Sequence, residues 1–263
     1  MPPPDPATLS ALRKAVAALD VTASAREGAT FGLGLAPLDA WLGGGLPRGA
    51  LHEVYAPPES DTAAGGFGLG LALRAAGGRP LVWARQDGAE DETGRLYGDG
   101  LAALGLDPGR LLLVRARDPM AALRVAGEAA RCSALGAALL EISGEARGLD
   151  LTASRRLALA ASASGVTLIV IRLRARPAPS AAASRWHVTA AASTPLEAAA
   201  PGRPAFNAGL TRHRAGLGSR IWRLEWDSDS LRFAAPTLHR PMVSVPVGRP
   251  AAAPAVLPWR RAG

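Results

Sequence analysis

The chain has 263 residues, and 48% of them are hydrophobic, which is enough for one large domain with a substantial core. Its longest apolar runs fall well short of the ~20 residues of a membrane-spanning helix, and its first residues lack the basic and apolar regions of a secretory signal. We therefore expect a cytoplasmic protein that has no membrane segment. The single cysteine, Cys132, excludes an internal disulfide and a multi-cysteine metal site, and its small apolar neighbours predict a thiol packed in the core.

The formal net charge of +8 is distributed unevenly along the chain. Residues 151–263 contain sixteen arginines and four acidic residues, whereas residues 51–150 contain more acidic than basic side chains. This basic half favours contact with nucleic acid or with an acidic partner. Lys14 is the only lysine, so part of the arginine content reflects a compositional preference, and a plain solvated surface is the alternative.

Residues 7–20 space their leucine and valine side chains at three and four residues, which predicts an amphipathic helix. Its apolar stripe, with Leu12, Val16 and Leu19, is a candidate partner-binding surface.

Beyond this helix, short apolar runs alternate with helical segments. The predicted strands are Leu51–Tyr55, Pro80–Ala84, Arg110–Val114, Ala137–Ile142 and Val166–Ile171. The predicted helices are Gly66–Ala76, Glu90–Leu104, Pro119–Leu135 and Leu151–Ser164. Continuous apolar strands that alternate with helices are typical of parallel sheets buried on both faces. We therefore predict an α/β fold with a mostly parallel central sheet flanked by helices.

The C-terminal part has a different pattern. Arg172–Ser184 follows neither helical nor strand periodicity, which predicts a mobile basic loop. Three strands are expected next, the last two as a hairpin, at Trp186–Ala191, Asn207–His213 and Arg220–Trp226. Recurring prolines then predict a disordered tail, in which Trp259 and Arg260 form a candidate partner-binding motif. The predicted organisation is a helix and linker at 1–30, a core at 31–235 and a tail at 236–263.

The segment Leu38-Asp39-Ala40-Trp41-Leu42-Gly43-Gly44-Gly45-Leu46-Pro47-Arg48-Gly49 directly precedes the first of these predicted core strands. It resembles the start of the RecA/RadA core, where such a segment leads into the first strand and then into the P-loop. Within that superfamily the chain is most similar to the ImuA family, accessory proteins of bacterial error-prone translesion synthesis, as Leu46–Glu53, Thr211–Arg214 and Trp222–Asp227 indicate. The resemblance covers about Leu33 to Phe233 and implies a RecA-like P-loop-NTPase fold.

The expected P-loop lacks its chemistry. A working loop has the sequence G-x-x-x-x-G-K-[ST], because backbone amides surround the phosphates, lysine reaches the terminal ones and the hydroxyl holds magnesium. The corresponding segment, residues 56–65, has no lysine, and Pro57 and Pro58 remove two amide donors. We therefore predict a degenerate P-loop whose residual nucleotide-site candidates are Glu59, Ser60 and Thr62.

The resemblance assigns three further positions to the catalytic parts of RecA-like enzymes. Gln86 stands where a glutamate orients the attacking water, and Glu141 keeps a carboxylate at the Walker B position. The glutamine that senses the γ-phosphate is replaced at Arg172-Leu173. Because phosphoryl transfer depends on preorganised charge at all of these places, we predict a pseudo-ATPase without a cofactor.

Two other patterns carry no chemistry. The glycines of residues 65–70 do not have the spacing of a dinucleotide-binding fingerprint, so we expect them to let a helix pack close to the sheet. The four histidines are scattered without ligand spacing, and no metal site is expected.

The basic loop and the strands after it are the candidate nucleic-acid surface. Flexible arginines can follow phosphates regardless of sequence, and Trp186 could stack on a base. The alternative is that the charge only solvates the loop. The candidate residues are Arg172, Arg174, Arg176, Arg185, Arg212, Arg214 and Arg220.

Together these features predict a non-catalytic RecA-like scaffold in damage-inducible, error-prone DNA synthesis. The resemblance implies an ImuB-like polymerase homologue and a DnaE-type polymerase as partners, with RecA and single-stranded DNA as further candidates. Two alternatives remain open. One is an active, non-standard ATPase that uses an arginine together with Glu141, ATP and magnesium. The other is a cell-division inhibitor of the SulA type.

Overall fold

The computed structural model describes residues 29–87, 94–195 and 200–236 of the chain. The predicted helix at 7–20, with Leu12, Val16 and Leu19, lies outside these residues, as does the predicted tail motif of Trp259 and Arg260. The strands of the described part are β1 Thr30–Phe31, β2 Leu46–Pro47, β3 Leu51–Ala56, β4 Leu81–Gln86, β5 Leu111–Ala116, β6 Ala137–Ser143, β7 Thr167–Leu173, β8 Ser184–Ala190, β9 Ala205–His213, β10 Arg220–Asp227 and β11 Arg232–Ala234. Its α-helices are α1 Ala36–Trp41, α2 Asp61–Ala76, α3 Gly98–Ala103, α4 Pro119–Ala129 and α5 Leu151–Ser164.

Nine strands form one sheet in the order β11-β10-β9-β8-β3-β7-β6-β4-β5. The six strands from β8 to β5 pair in parallel, and β9, β10 and β11 extend the sheet as antiparallel strands. This arrangement confirms the predicted α/β fold with a mostly parallel sheet. It also confirms the predicted hairpin of β9 and β10.

The sheet separates two hydrophobic layers. Successive side chains of a strand point to opposite faces, and in β7 Ile169 packs in one buried cluster while Val170 packs in the other. The first layer contains α2 and most of the buried aromatic rings, such as Phe67. The second layer contains α4 and α5, which contribute mainly alanine and leucine, such as Ala126 and Leu157.

Glycines bring α2 close to the sheet, as the sequence predicts. A Cβ atom built on Gly68 would lie 2.7 Å from Ile171 Cδ1, and one built on Gly70 would lie 2.6 Å from Phe233 Cζ. Real Cβ atoms do not approach other atoms so closely, so a side chain at either position would push the helix away from β7 or β11.

Some predicted boundaries are wrong. Helix α2 begins at Asp61 rather than at Gly66, because Ala63 and Ala64 are buried against the core. The predicted helix Glu90–Leu104 is represented by the shorter α3, with residues 88–93 outside the described part, and α4 ends at Ala129. Cys132, expected in the core, is exposed in the turn after α4. Strand β11 was not predicted, because three residues carry too little periodicity.

None of the helices in the described ranges combines the length and apolar character that a membrane span requires.

Candidate functional site

The loop that follows β3 occupies the place of the expected P-loop. It forms a short 3₁₀ turn at Pro58–Ser60 and leads directly into α2 at Asp61. The Ser60 hydroxyl is buried and accepts a hydrogen bond of 3.2 Å from the Ala190 backbone N–H of β8. Glu59 and Thr62 are exposed beside it. The predicted nucleotide-site residues therefore divide between a buried serine that ties the loop to the sheet and two surface side chains.

Glu141 lies in the interior, within a network of hydrogen bonds between β4 and β6. Its Oε1 atom accepts a bond of 2.8 Å from Arg85 Nη2, and its Oε2 atom accepts bonds of 3.0 Å from both Arg85 Nε and Trp83 Nε1. The side chains of Arg85 and Glu141 are each only 3% exposed. Since Arg85 and Glu141 are directly opposite each other in the parallel register, their pairing follows from the order of the strands.

Sequence reasoning missed Arg85 and Trp83. The available signal was a charged residue inside an apolar strand, because a buried arginine needs a carboxylate partner. Trp83 is two residues before Arg85, so both side chains point to the same face of β4. Arg85 in one apolar strand and Glu141 in another are therefore the pair that this signal predicts.

A second ion pair connects the start of α2 to the end of β7. Arg174 Nε lies 2.9 Å from Asp61 Oδ2, and the Asp61 side chain is 5% exposed. Arg174 has a φ of 52°, which is unusual for a residue other than glycine. Arg174, predicted to contact nucleic acid, is thus paired with the carboxylate at the start of α2.

A cleft of about 180 Å³ lies between these two ion pairs. Its walls are mainly apolar and include Leu69 of α2, Leu96 and Leu101. Arg85 and Glu141 line it together, so each guanidinium charge near the cleft faces a carboxylate of the same chain. An apolar cleft with internally neutralised charge has little to offer a polyphosphate.

Gln86 ends β4 directly after Arg85, so its side chain points to the face of the strand opposite the cleft. Its Oε1 atom is buried and accepts no hydrogen bond from any described residue. An unpaired buried amide oxygen can accept a bond from water or from a partner group. Gln86 has the hydrogen-bonding capacity to hold a water, as the resemblance implies, but it has no carboxylate to accept the proton.

Two of the predicted nucleic-acid residues are not in a loop. Arg172 lies in β7 and is 3% exposed, and Arg185 lies in β8, where its Nε atom is 2.8 Å from Glu53 Oε2. Both guanidinium groups lie near the Tyr55 ring, at 5.9 Å and 5.4 Å from its centre. Burial, followed by the neighbouring Glu53 charge, raises the pKa of Tyr55. The predicted mobile loop is therefore wrong at both of its ends.

Trp186 is fully buried and packs on Phe67, with ring centres 5.5 Å apart. The prediction that Trp186 stacks on a nucleic-acid base is therefore wrong. The strand alternation explains the error, because β8 points its even-numbered apolar side chains to the core and Arg185 and His187 to the other face.

The other predicted arginines reach the surface. Arg176 and Arg214 are exposed, and Arg212 is exposed while its Nη1 atom donates a 2.7 Å hydrogen bond to the Ser180 carbonyl. Arg220 is exposed and stacks on Trp222, with Cζ 4.1 Å from the ring centre. The structure thus leaves a surface subset of the predicted set, and one member of it, Arg212, lies directly opposite Arg185 in the register of β8 and β9.

A comparison with models of protein families found no match for the chain. Among curated proteins, Protein ImuA from each of two strains of Caulobacter vibrioides is 37% identical to the chain over 124 residues. The match covers 44% of the chain and 46% of the relative, so it spans about half the length of these relatives. Over that length the chain is similar to Protein ImuA, in agreement with the resemblance to the ImuA family.

Proposed function

We propose that the chain is a non-catalytic, RecA-like accessory protein of damage-inducible, error-prone DNA synthesis. The observation that carries this proposal is the pairing of Glu141 with Arg85 and Trp83. The role in mutagenesis is what the resemblance to the ImuA family implies, and the partners it implies are an ImuB-like polymerase homologue, a DnaE-type polymerase and RecA.

The missing catalytic function follows from the hydrogen bonds of the site. To hold magnesium, Glu141 would have to release bonds from Arg85 and leave a guanidinium that is 3% exposed without its counter-charge. The loop supplies no lysine for the phosphates, and Pro57 supplies no amide N–H. Asp61 adds negative charge there, although it is paired with Arg174. ATP therefore meets an unfavourable site.

The surface arginines support a second part of the proposal, sequence-independent contact with single-stranded DNA. Arg176, Arg214 and Arg220 are exposed and belong to the basic part of the chain. Phosphate contacts by arginine bring affinity without base recognition. Arg174 and Arg185 take no part in this proposal because they pair with Asp61 and Glu53, and Arg172 takes no part because it is buried.

The proposal is tested by mutation frequency after DNA damage in cells that lack the gene. Wild type should restore induced mutation, and a Glu59→Ala/Thr62→Ala variant should restore it equally, because both side chains are on the surface of a loop with no catalytic work. An ATPase that uses this loop would lose complementation in the variant, contradicting the proposal. Unchanged mutation frequency with filamentous cells on overproduction would instead support the division inhibitor.

A further inference from the structure

A groove of about 430 Å³ runs between α4 and α5 on the face of the sheet opposite α2. Its floor is apolar and is formed by Leu123, Gly127 and Leu157, with Ala153 and Ala160 along one side. A Cβ atom built on Gly127 would meet its nearest neighbour at 3.7 Å. That neighbour is Arg131 Nη1, so a methyl group fits at Gly127 in ordinary contact, whereas a longer side chain would project into the groove.

The rim of this groove carries more positive charge than the chain itself neutralises. Arg131 pairs with Glu128 at 3.0 Å, and the Asp150 carboxylate accepts the Ala153 N–H at the start of α5. Arg124 and Arg156 are exposed and form no hydrogen bond or ion pair with any residue in the described part of the chain. Two guanidinium groups are thus available at an apolar groove.

Exposed apolar side chains border the same two helices. Met120 of α4 is 44% exposed, and Leu151 and Leu159 of α5 are 49% and 66% exposed. Leu159 is three residues after Arg156, so the two lie on neighbouring positions of the helix surface. Large apolar side chains beside arginines are typical of binding surfaces.

We propose that the groove between α4 and α5 binds an acidic amphipathic segment of a partner protein. An apolar side chain of that segment would fill the space above Gly127, and its carboxylates would pair with Arg124 and Arg156. This mode is the packing of an amphipathic helix into a groove, with charge complementarity setting its register. The inference goes beyond the proposed function and does not depend on the state of the nucleotide site.

The observations favour an acidic protein segment over other occupants. A nucleic-acid backbone could reach the arginines of the rim, but it has no apolar group for the floor formed by Leu123 and Leu157. Residues 237–263 of the chain itself contain four arginines and no acidic residue, so their charge opposes the groove. A partner segment with leucine and glutamate at helical spacing satisfies both the floor and the rim.

Fluorescence anisotropy with a labelled synthetic peptide tests this site. The probe is an amphipathic peptide with leucines spaced three and four residues apart and glutamates between them, and its counterpart carries lysines in place of the glutamates. The full-length protein should bind the acidic probe, more weakly as salt increases, and should not bind the lysine counterpart. Absence of binding by the acidic probe, or equal binding of both peptides, would overturn the proposal.

Substitutions in the groove test whether the acidic peptide binds there. Arg124→Glu/Arg156→Glu should weaken it at least tenfold, and Gly127→Leu should do the same by filling the floor. Gly127→Ala, which adds one methyl group, and Arg155→Glu, which changes an exposed arginine of α5 that does not line the groove, are the matched controls and should bind like wild type. Thermal unfolding checks that every variant is folded. Undiminished binding by folded Gly127→Leu, or loss of single-stranded DNA binding in the groove variants, would contradict an acidic protein partner.

Discussion

The cleft at the end of β4 and the groove between α4 and α5 use arginine in opposite ways. In the cleft, Arg85 is buried and both oxygens of Glu141 are engaged by donors of the same chain. At the groove, Arg124 and Arg156 are exposed and make no ion pair with described residues. Buried charge that is paired internally holds strands together, whereas exposed unpaired charge is available to a partner. The difference is that the charge in the cleft has a structural partner, whereas the charge at the groove is exposed to solvent.

Breaking the buried pair should have the largest effect on stability. Either Arg85→Met or Glu141→Leu should lower the free energy of unfolding by about 3–5 kcal/mol, because each leaves one charge buried without its partner. The double variant should be more stable than either single variant, since it buries no charge. Urea unfolding of all four proteins checks this. Single variants that each cost under about 1 kcal/mol would show that the pair is not sealed from water.

The next largest effect on stability is expected from a buried histidine, and it depends on pH. His52 is fully buried, and this burial lowers its pKa to about 4. In the unfolded chain the pKa is near 6.5, so between these values the unfolded state binds a proton that the native state excludes. Stability should therefore be unaffected above pH 6.5 and should fall by about 2 kcal/mol at pH 5.

Urea unfolding at pH 7.5 and pH 5 measures this loss, and the same experiment on His52→Gln isolates the histidine from other groups. The variant should lose less stability between the two pH values than wild type does. An equal loss in both proteins would mean that His52 is not the group that titrates. Both nitrogens of the neutral ring have partners within the protein, since His52 Nδ1 lies 2.8 Å from Ser184 Oγ and Nε2 lies 2.9 Å from the Pro47 carbonyl oxygen.

Two glycines of α2 sharpen the contrast between interior and surface. Gly70→Ala should destabilise the protein by about 1–3 kcal/mol, because the added Cβ would lie 2.6 Å from the Phe233 ring. Gly65→Ala meets nothing within 4 Å and should stabilise it by up to about 1 kcal/mol through helix propensity. If α2 packs as described, the unfolding temperature should fall in Gly70→Ala and rise in Gly65→Ala. A change of the same sign in both variants would contradict this packing.

The exposed pair at the C-terminal end of α4 should have the smallest effect. Arg131 and Glu128 are 61% and 81% exposed at a distance of 3.0 Å. Arg131→Ala should change the free energy of unfolding by at most about 0.5 kcal/mol, because solvent screens the pair and the side chains lose entropy on pairing. A loss as large as that of Arg85→Met would remove the distinction between the two regions.

The sequence predicts best what local signals determine. Helix α5 has the predicted bounds Leu151–Ser164, because Asp150 accepts the Ala153 N–H at one end and Gly165 takes a left-handed φ of 79° at the other. The parallel core strands are found within a few residues of their predicted positions for a similar reason. Their apolar runs are continuous, and turn residues separate them.

The parts that could not be predicted depend on strand order. Arg85 and Glu141 are 56 residues apart, and only the neighbouring positions of β4 and β6 bring them together. The start of α2 at Asp61 depends on burial against the sheet rather than on a cap, since no side chain caps it. Arg185 and Trp186 were placed at one surface, whereas adjacent strand residues point to opposite faces.

Isothermal titration of the purified full-length protein with ATP and magnesium tests the central claim most directly. We expect no saturable heat of binding, because Glu141 is engaged by Arg85 and Trp83 and the loop after β3 has no lysine. A magnesium-dependent dissociation constant for ATP in the micromolar range would contradict the proposed non-catalytic role and would favour an active ATPase.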